Sequence, residues 1–226
     1  MAAGKRERAV IVAVFSDVHA NLPALETFVR ATKPVADAYV CLGDVVDYGP
    51  WNDECLQIVL SLPGIALLEG NHERLFLGTE PIERELPLVQ EFYRHSRAHF
   101  SRRDWIADLP ASYDLSAFRC VHTIDDRKIY ADTEDIDVDR DYLIGHTHHA
   151  FQIRRSGRTI ANCGSVGQNR AAIDTIDYAL YDEDTGGLTL CRKPYAFDHF
   201  VSELIARGYP RRCVDYYLGK RGGTAP

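Results

Sequence analysis

Nine histidines stand in this 226-residue chain, and five of them fall in short polar clusters. The clusters read Ser16-Asp17-Val18-His19-Ala20-Asn21, Gly43-Asp44-Val45-Val46-Asp47, Gly70-Asn71-His72-Glu73, Val121-His122 and Gly145-His146-Thr147-His148. Imidazole nitrogens with carboxylate and amide oxygens, and no thiolate, form a donor set for Mn, Fe, Zn, Co or Ni rather than for a cysteine-rich structural zinc. Seven such donors sharing one carboxylate would hold two ions a few ångströms apart. Ion pairs of this kind clamp a phosphate and supply a nucleophilic water at neutral pH.

Five loops must converge for that to happen, and the intervening sequence supplies elements that can bring them together. Residues 9–15 are apolar throughout and rich in Val and Ile, as in a strand covered on both faces. Leu22–Ala31 reads as a helix with Pro23 in its first turn. Ala38–Leu42 reads as a strand, Asn52–Ser61 as a helix and Ile65–Leu68 as a third strand, a βαβ series with right-handed crossovers. Residues 83–108 read as helix in two pieces, Leu88–Phe100 and Arg102–Ala107. Strand-like segments then follow at Phe118–Val121, Lys128–Ala131, Tyr142–Ile144, Phe151–Arg155, Thr159–Ala161, Tyr178–Tyr181 and Leu188–Cys191. A helix over His199–Ala206 and a frayed tail from Gly219 to Pro226 complete the expectation. The polar clusters come just after the carboxyl ends of strands, where α/β sheets bind ligands. Gly43, Gly70 and Gly145 each precede a key residue and are expected to let the chain turn sharply there. The whole reads as one α/β domain over residues 1–226, with two packed mixed sheets and outer helices.

Composition narrows the class of protein. The formal net charge is −7, which counts against a broad basic grip on nucleic acid but not against a small anionic substrate held by metal ions. The apolar run after Lys5, Arg6 and Arg8 is too short for a membrane span and lacks a cleavage site, so neither a signal peptide nor a membrane partner is expected. The six cysteines, at 41, 55, 120, 163, 191 and 213, form no C-x-x-C pair and read as reduced residues of a cytoplasmic protein.

D-x-H at Asp17 and His19, G-D-x-x-D at Gly43 to Asp47, G-N-H-E at Gly70 to Glu73, the lone His122 and G-H-T-H at Gly145 to His148 resemble, in order and spacing, the calcineurin-like metallophosphoesterase superfamily. The turn Asn162-Cys-Gly-Ser-Val-Gly-Gln168 is similar to that of its small bacterial and archaeal phosphodiesterase branch. The likeness covers about residues 9–170.

The resemblance implies two divalent ions, Mn foremost, with Fe, Zn, Ni, Co or Mg as alternatives. One would be held by Asp17, His19, Asp44 and His148, the other by Asp44, Asn71, His122 and His146, with Asp44 shared. His72 would bind no metal but would sit over the phosphate and protonate the leaving oxygen as water attacks in line. The implied function is hydrolysis of a small phosphodiester. Phosphomonoesters, dinucleoside polyphosphates at the same site and a metal-binding interaction scaffold are the alternatives, and a homo-oligomer is compatible with the sequence.

Three departures qualify the likeness. Tyr48 stands where related Ser/Thr phosphatases carry Arg, which argues against a protein substrate. Asp47 occupies the position that in those phosphatases orients the catalytic His, whereas many small relatives have Gly. His122 is followed by Thr123 instead of Gly, leaving it the least secure ligand. Asn21, Tyr48 and Arg170 are the candidates for contact with substrate. His95, His99, His149 and His199 read as ordinary helix or surface residues. The series Asp135, Asp137, Asp139 starts like a calcium loop, but Arg140 and His146 fill the positions that require Gly and Glu.

Overall fold

The computed structural model describes residues 9–221. Ten strands form two five-stranded sheets. The first sheet contains β1 (Ile11–Phe15), β2 (Ala38–Cys41), β3 (Ile65–Leu67), β9 (Thr175–Asp182) and β10 (Gly187–Pro194), in the order β10-β9-β1-β2-β3. The second contains β4 (Ser112–Leu115), β5 (Phe118–Val121), β6 (Asp141–Ile144), β7 (Phe151–Arg155) and β8 (Arg158–Asn162), in the order β4-β5-β6-β8-β7. Strands β1, β2 and β3 are parallel, as are β5, β6 and β8; the outer pairings are antiparallel. The helices are α1 (Leu22–Thr32), α2 (Asn52–Leu60), α3 (Asn71–Leu77), α4 (Pro87–Arg97), α5 (Phe197–Ala206) and α6 (Arg211–Lys220).

The unbroken apolar run of β1 follows from its place in the middle of this sandwich. Ala13 and Phe15 pack into the core beneath the helices, while Val12 and Val14 face the second sheet beside Phe118, Cys120 and Leu143. Alternation along β2 does the same, with Tyr39 and Cys41 on one side and Val40 and Leu42 on the other. Each large apolar side chain buried this way stabilises the fold by roughly 1.5–3 kcal/mol. A third apolar cluster, with Ile129, Ile136 and Ile160, seals the outer face of the second sheet.

The sequence reading holds for the βαβ series and fails in identifiable places. Lys128–Ala131 is irregular chain, not a strand. The G-N-H-E segment begins a helix, α3, instead of staying in a loop, because Glu73 reaches back to the Gly70 N–H and caps it. The expected helix over Arg102–Ala107 is a single 3₁₀ turn at Arg103–Trp105, and β4 and α6 went unforeseen. Helix α6 absorbs Gly219 and Lys220 from the expected frayed tail; residues 222–226 lie outside the described part. All six cysteines are free, and five are buried. Among the described residues no helix is long and apolar enough to cross a membrane.

Candidate dinuclear metal centre

All six parallel strands end on the same side, and their following loops meet there. The first two loops are zipped together beyond the ends of β1 and β2. Asp17 N–H donates to Gly43 O at 3.0 Å, His19 N–H to Asp44 O at 3.0 Å and Ala20 N–H to Val45 O at 2.8 Å. The loop after β8 closes on them, with Gly167 N–H donating to Asp17 O at 2.9 Å. His146 N–H, from the loop after β6, donates to Asp17 Oδ2 at 3.1 Å.

These loops hold unusual backbone. Asp17, His19, Ala20, Asp44, Asp47, Tyr48, His146 and His148 all have φ between 48° and 74°, a region costly to residues with a Cβ. Such strain persists only where surrounding bonds over-determine it, and here it aims the side chains inward. Of the three glycines expected to turn the chain, Gly43 does so, with φ of 106°. Gly70 and Gly145 serve a different need, because a Cβ on either would strike a neighbouring side-chain oxygen, Asp44 Oδ1 or Ser16 Oγ.

Two groups of donors result. In the first, His148 Nε2 lies 3.2 Å from Asp17 Oδ1 and 3.2 Å from His19 Nε2. The Nδ1 atoms of His19 and His148 donate to Val46 O at 3.1 Å and Gln168 O at 2.8 Å. A carbonyl can only accept, so each ring carries its proton on Nδ1 and presents a lone pair at Nε2. Asp17 Oδ1 is buried with no hydrogen-bond partner. While both rings are neutral, three lone pairs thus converge with no donor among them, and a cation meets that need.

In the second group, His122 Nε2 is 3.1 Å from Asp44 Oδ2 and 3.0 Å from Asn71 Oδ1, while His146 Nδ1 is 2.9 Å from Asn71 Oδ1. His122 Nδ1 donates to Leu42 O at 2.9 Å, which again directs its Nε2 lone pair into the group. Asp44 also shares a group with His19 and His72, so it stands between the two sets of donors. The donor chemistry fits two divalent ions: hard carboxylate and amide oxygens beside imidazoles, with no thiolate.

Charge in the metal-free site is distributed accordingly. Burial opposes ionisation of Asp17, but a second proton on the His148 ring, at Nε2, holds its pKa down to about 2 through charge and a hydrogen bond. Asp44 is likewise held low against burial, chiefly by His122 and His72. Burial disfavours the charged His122 ring, yet the charge and hydrogen bond of Asp44 raise it to about 9. Burial and the neighbouring His122 push His146 down to about 4 and keep it neutral.

His72 lies in the first turn of α3 with its Nδ1 2.8 Å from Asp47 Oδ2. Asp47 is itself fixed: its N–H donates to Asn52 Oδ1 at 2.8 Å, and its Oδ1 accepts from Tyr48 N–H at 2.6 Å. His72 Nε2 is 4.0 Å from Asp44 Oδ2, and its ring packs 5.1 Å from that of Tyr48 and 4.9 Å from that of His19. Burial disfavours the charged ring, but the charge of Asp44 and the hydrogen bond and charge of Asp47 raise its pKa to about 9.

Of the three expected substrate contacts, Tyr48 and Arg170 line the cleft above the donors, and Asn21 does not. Asn21 Oδ1 caps α1 by accepting from Ala24 N–H at 3.2 Å, and its Nδ2 donates to Gly167 O at 2.8 Å and Tyr195 Oη at 3.1 Å. Both polar atoms of this buried residue are engaged in structure, which corrects the expectation. Sequence reasoning missed Glu73, whose carboxylate accepts from the N–H groups of Asp44 at 2.8 Å, Val45 at 2.8 Å, Val46 at 3.3 Å and Gly70 at 2.9 Å. The sequence shows only an acid directly after G-N-H, and its complete burial appears only in the fold. It also missed Lys128, Tyr130 and Leu86 on the cleft walls, for which the sequence carries no pattern.

A sandwich of two mixed sheets with this two-part donor set defines a metal-dependent phosphoesterase. The family model for calcineurin-like phosphoesterase matches residues 11–168, and the chain belongs to that family. An uncharacterised protein of Methanocaldococcus jannaschii is 23% identical over 253 residues, spanning 93% of this chain and 96% of its own. The crystal structure of a metallophosphoesterase from Sphaerobacter thermophilus superposes with a TM-score of 0.77 at 24% identity, over 93% of this chain and 99% of that one. A hypothetical protein from Pyrococcus horikoshii gives a TM-score of 0.81 at 16% identity, over 96% of this chain and 100% of that one. At these identities the likeness to the solved structures is one of fold.

Proposed function

We propose that this protein is a cytoplasmic phosphodiesterase that hydrolyses small phosphodiesters with two divalent ions, Mn foremost. The observation that carries the reading is the His72 Nδ1–Asp47 Oδ2 contact of 2.8 Å, which fixes the His72 imidazole beside both donor groups with its Nε2 4.0 Å from Asp44 Oδ2. Asp17, His19, Asp44 and His148 would hold one ion, and Asp44, Asn71, His122 and His146 the other. When bound, such ions neutralise phosphate charge and lower the pKa of a water.

The remaining chemistry falls to the chain. Asp47 keeps the His72 proton at Nδ1 and, by its charge, favours a second proton at Nε2. His72 then protonates the ester oxygen as it leaves, so that an alcohol departs in place of an alkoxide. Arg170, exposed on the cleft wall with no carboxylate partner among the described residues, supplies a cation for a non-bridging phosphate oxygen. Tyr48 packs against His72 and narrows the cleft, which favours a small diester over a protein substrate. Free and mostly buried cysteines suit a reducing compartment.

The test strips metal, restores Mn with the bound metal measured, and assays bis(4-nitrophenyl) phosphate beside 4-nitrophenyl phosphate. Turnover of the diester in preference to the monoester is expected. No turnover of either by metal-loaded protein refutes the proposal.

A further inference from the structure

Two openings meet at the donor groups, and their walls differ in character. The first is a cleft of about 140 Å³ lined by His72, Tyr48, Leu86, Val89, Tyr130 and Arg170, among others. The second is a groove of about 400 Å³ lined by Thr79, Arg84, Thr123 and Lys128, together with the ion-paired Arg74, Glu80 and Asp126. Asn71, Glu85, Lys128 and His146 line both, so the openings join at the second donor group.

Leu86 is 71% exposed, more than any other large apolar residue described, and Tyr130 is 36% exposed. Both sit on the wall of the cleft that His72 lines. Exposed leucine has no folding benefit, and beside a reaction centre such a surface matches an apolar ligand group. In the groove, Arg84 and Lys128 have no carboxylate partner among the described residues, and Thr79 and Thr123 add hydroxyls. That wall matches a polar group.

We propose that the substrate is an unsymmetrical phosphodiester, with a compact apolar ester group against Leu86, Val89 and Tyr130 and a polar, hydroxyl-bearing one in the Arg84–Lys128 groove. This rests on the phosphodiesterase reading above and adds a direction to it. His72 lines the cleft and not the groove. The ester oxygen on the apolar side is therefore the one that receives its proton. Water adds across that bond: its oxygen forms a new P–O bond and gives up a proton to solvent, the P–O bond to the apolar alcohol breaks, the alcohol leaves with the proton from His72, and His72 regains a proton from solvent. The polar group stays on phosphorus as a phosphomonoester.

Benzyl glyceryl phosphate tests the direction, because its two primary alcohols are comparable leaving groups. Mn-loaded protein is expected to give benzyl alcohol and glycerol phosphate over glycerol and benzyl phosphate by at least tenfold, read by phosphorus NMR. Leu86→Ser and Tyr130→Ala are each expected to lower that ratio at least fivefold. Benzylphosphonate, which resists hydrolysis, should bind at least fivefold more weakly to Leu86→Ser by calorimetry. An even or reversed product ratio overturns the inference, as does a ratio untouched by both substitutions or an affinity untouched by Leu86→Ser. Failure to cleave benzyl glyceryl phosphate while bis(4-nitrophenyl) phosphate is turned over also overturns it. Failure on both diesters refutes the phosphodiesterase reading itself.

Discussion

The Nε2 atoms of His19 and His148 lie 3.2 Å apart, and while the rings are neutral neither can donate to the other, because each holds its one proton on Nδ1 against a backbone carbonyl. Asp17 Oδ1 adds a third lone pair to the same point. A divalent ion turns this mutual repulsion into shared attraction. Saturation at a hundredfold over Kd stabilises a protein by about 2.7 kcal/mol, and a chain of this size gains roughly 2–4 °C of Tm per kcal/mol. Calorimetric melting with Mn against excess chelator should therefore show a rise of about 5–10 °C. His19→Ala should reduce that rise. Equal Tm with and without Mn would count against a metal centre.

The His72–Asp47 pair predicts an alkaline limit to activity. Without metal, and against burial, Asp44 and Asp47 raise the pKa of His72 to about 9, so its acid form is present below that value and lost as pH rises through it; cations held at Asp44 offset that carboxylate's share and lower the limit, while the share from Asp47 remains. Asp47→Asn keeps the side-chain shape but removes a charge that raises the pKa. The alkaline limb of kcat/KM against pH should move to lower pH in this variant. His72→Ala should retain both metals and lose about 10²–10⁴ in kcat. Superimposable limbs for wild type and Asp47→Asn would remove Asp47 from the mechanism.

Legibility in the sequence followed physical scale. Periodicity in β1 and β2 is local, and both strands were readable because every residue after the first of each is buried on one face or the other. The donor types were readable because a metal demands particular atoms wherever the chain delivers them. Asn21 misled because an amide that caps a helix and an amide that meets a ligand look alike in sequence; only its three bonded partners decide. Glu73 was hidden for the opposite reason. Its role lies in backbone N–H groups 27–29 residues away, which no spacing rule encodes. The cleft walls come from α4 and an irregular segment around Lys128, brought together only by the packing of the two sheets.

Glu73 should matter to stability more than any surface acid. Its carboxylate satisfies buried N–H groups on both the G-D-x-x-D loop and the start of α3. In Glu73→Ala these donors lose their acceptor, at about 1–3 kcal/mol for a buried group left unpaired. Urea unfolding of the metal-free protein should show a loss of about 3 kcal/mol or more. A loss within the range of exposed controls such as Glu54→Ala would show that water replaces the carboxylate without cost.

Gly70→Ala separates metal affinity from backbone strain. Gly70 has φ of −103° and ψ of 178°, which any residue adopts, so the substitution strains no dihedral. The new Cβ would instead collide with Asp44 Oδ1, and it would lie 2.6 Å from Asp44 N and 2.8 Å from its Cγ. Asp44 must shift, and it stands between the two donor groups. Displaced supports of metal ligands typically cost 10–100-fold in affinity, so Mn binding by calorimetry should weaken about that much. Gly78→Ala is the matched control. Its φ of 79° makes alanine costly there, by about 1–3 kcal/mol. Yet nothing lies within 4 Å of the added Cβ, and its Mn affinity should match wild type. If both variants bind Mn as wild type does, the contact between Gly70 and Asp44 does not set the metal site.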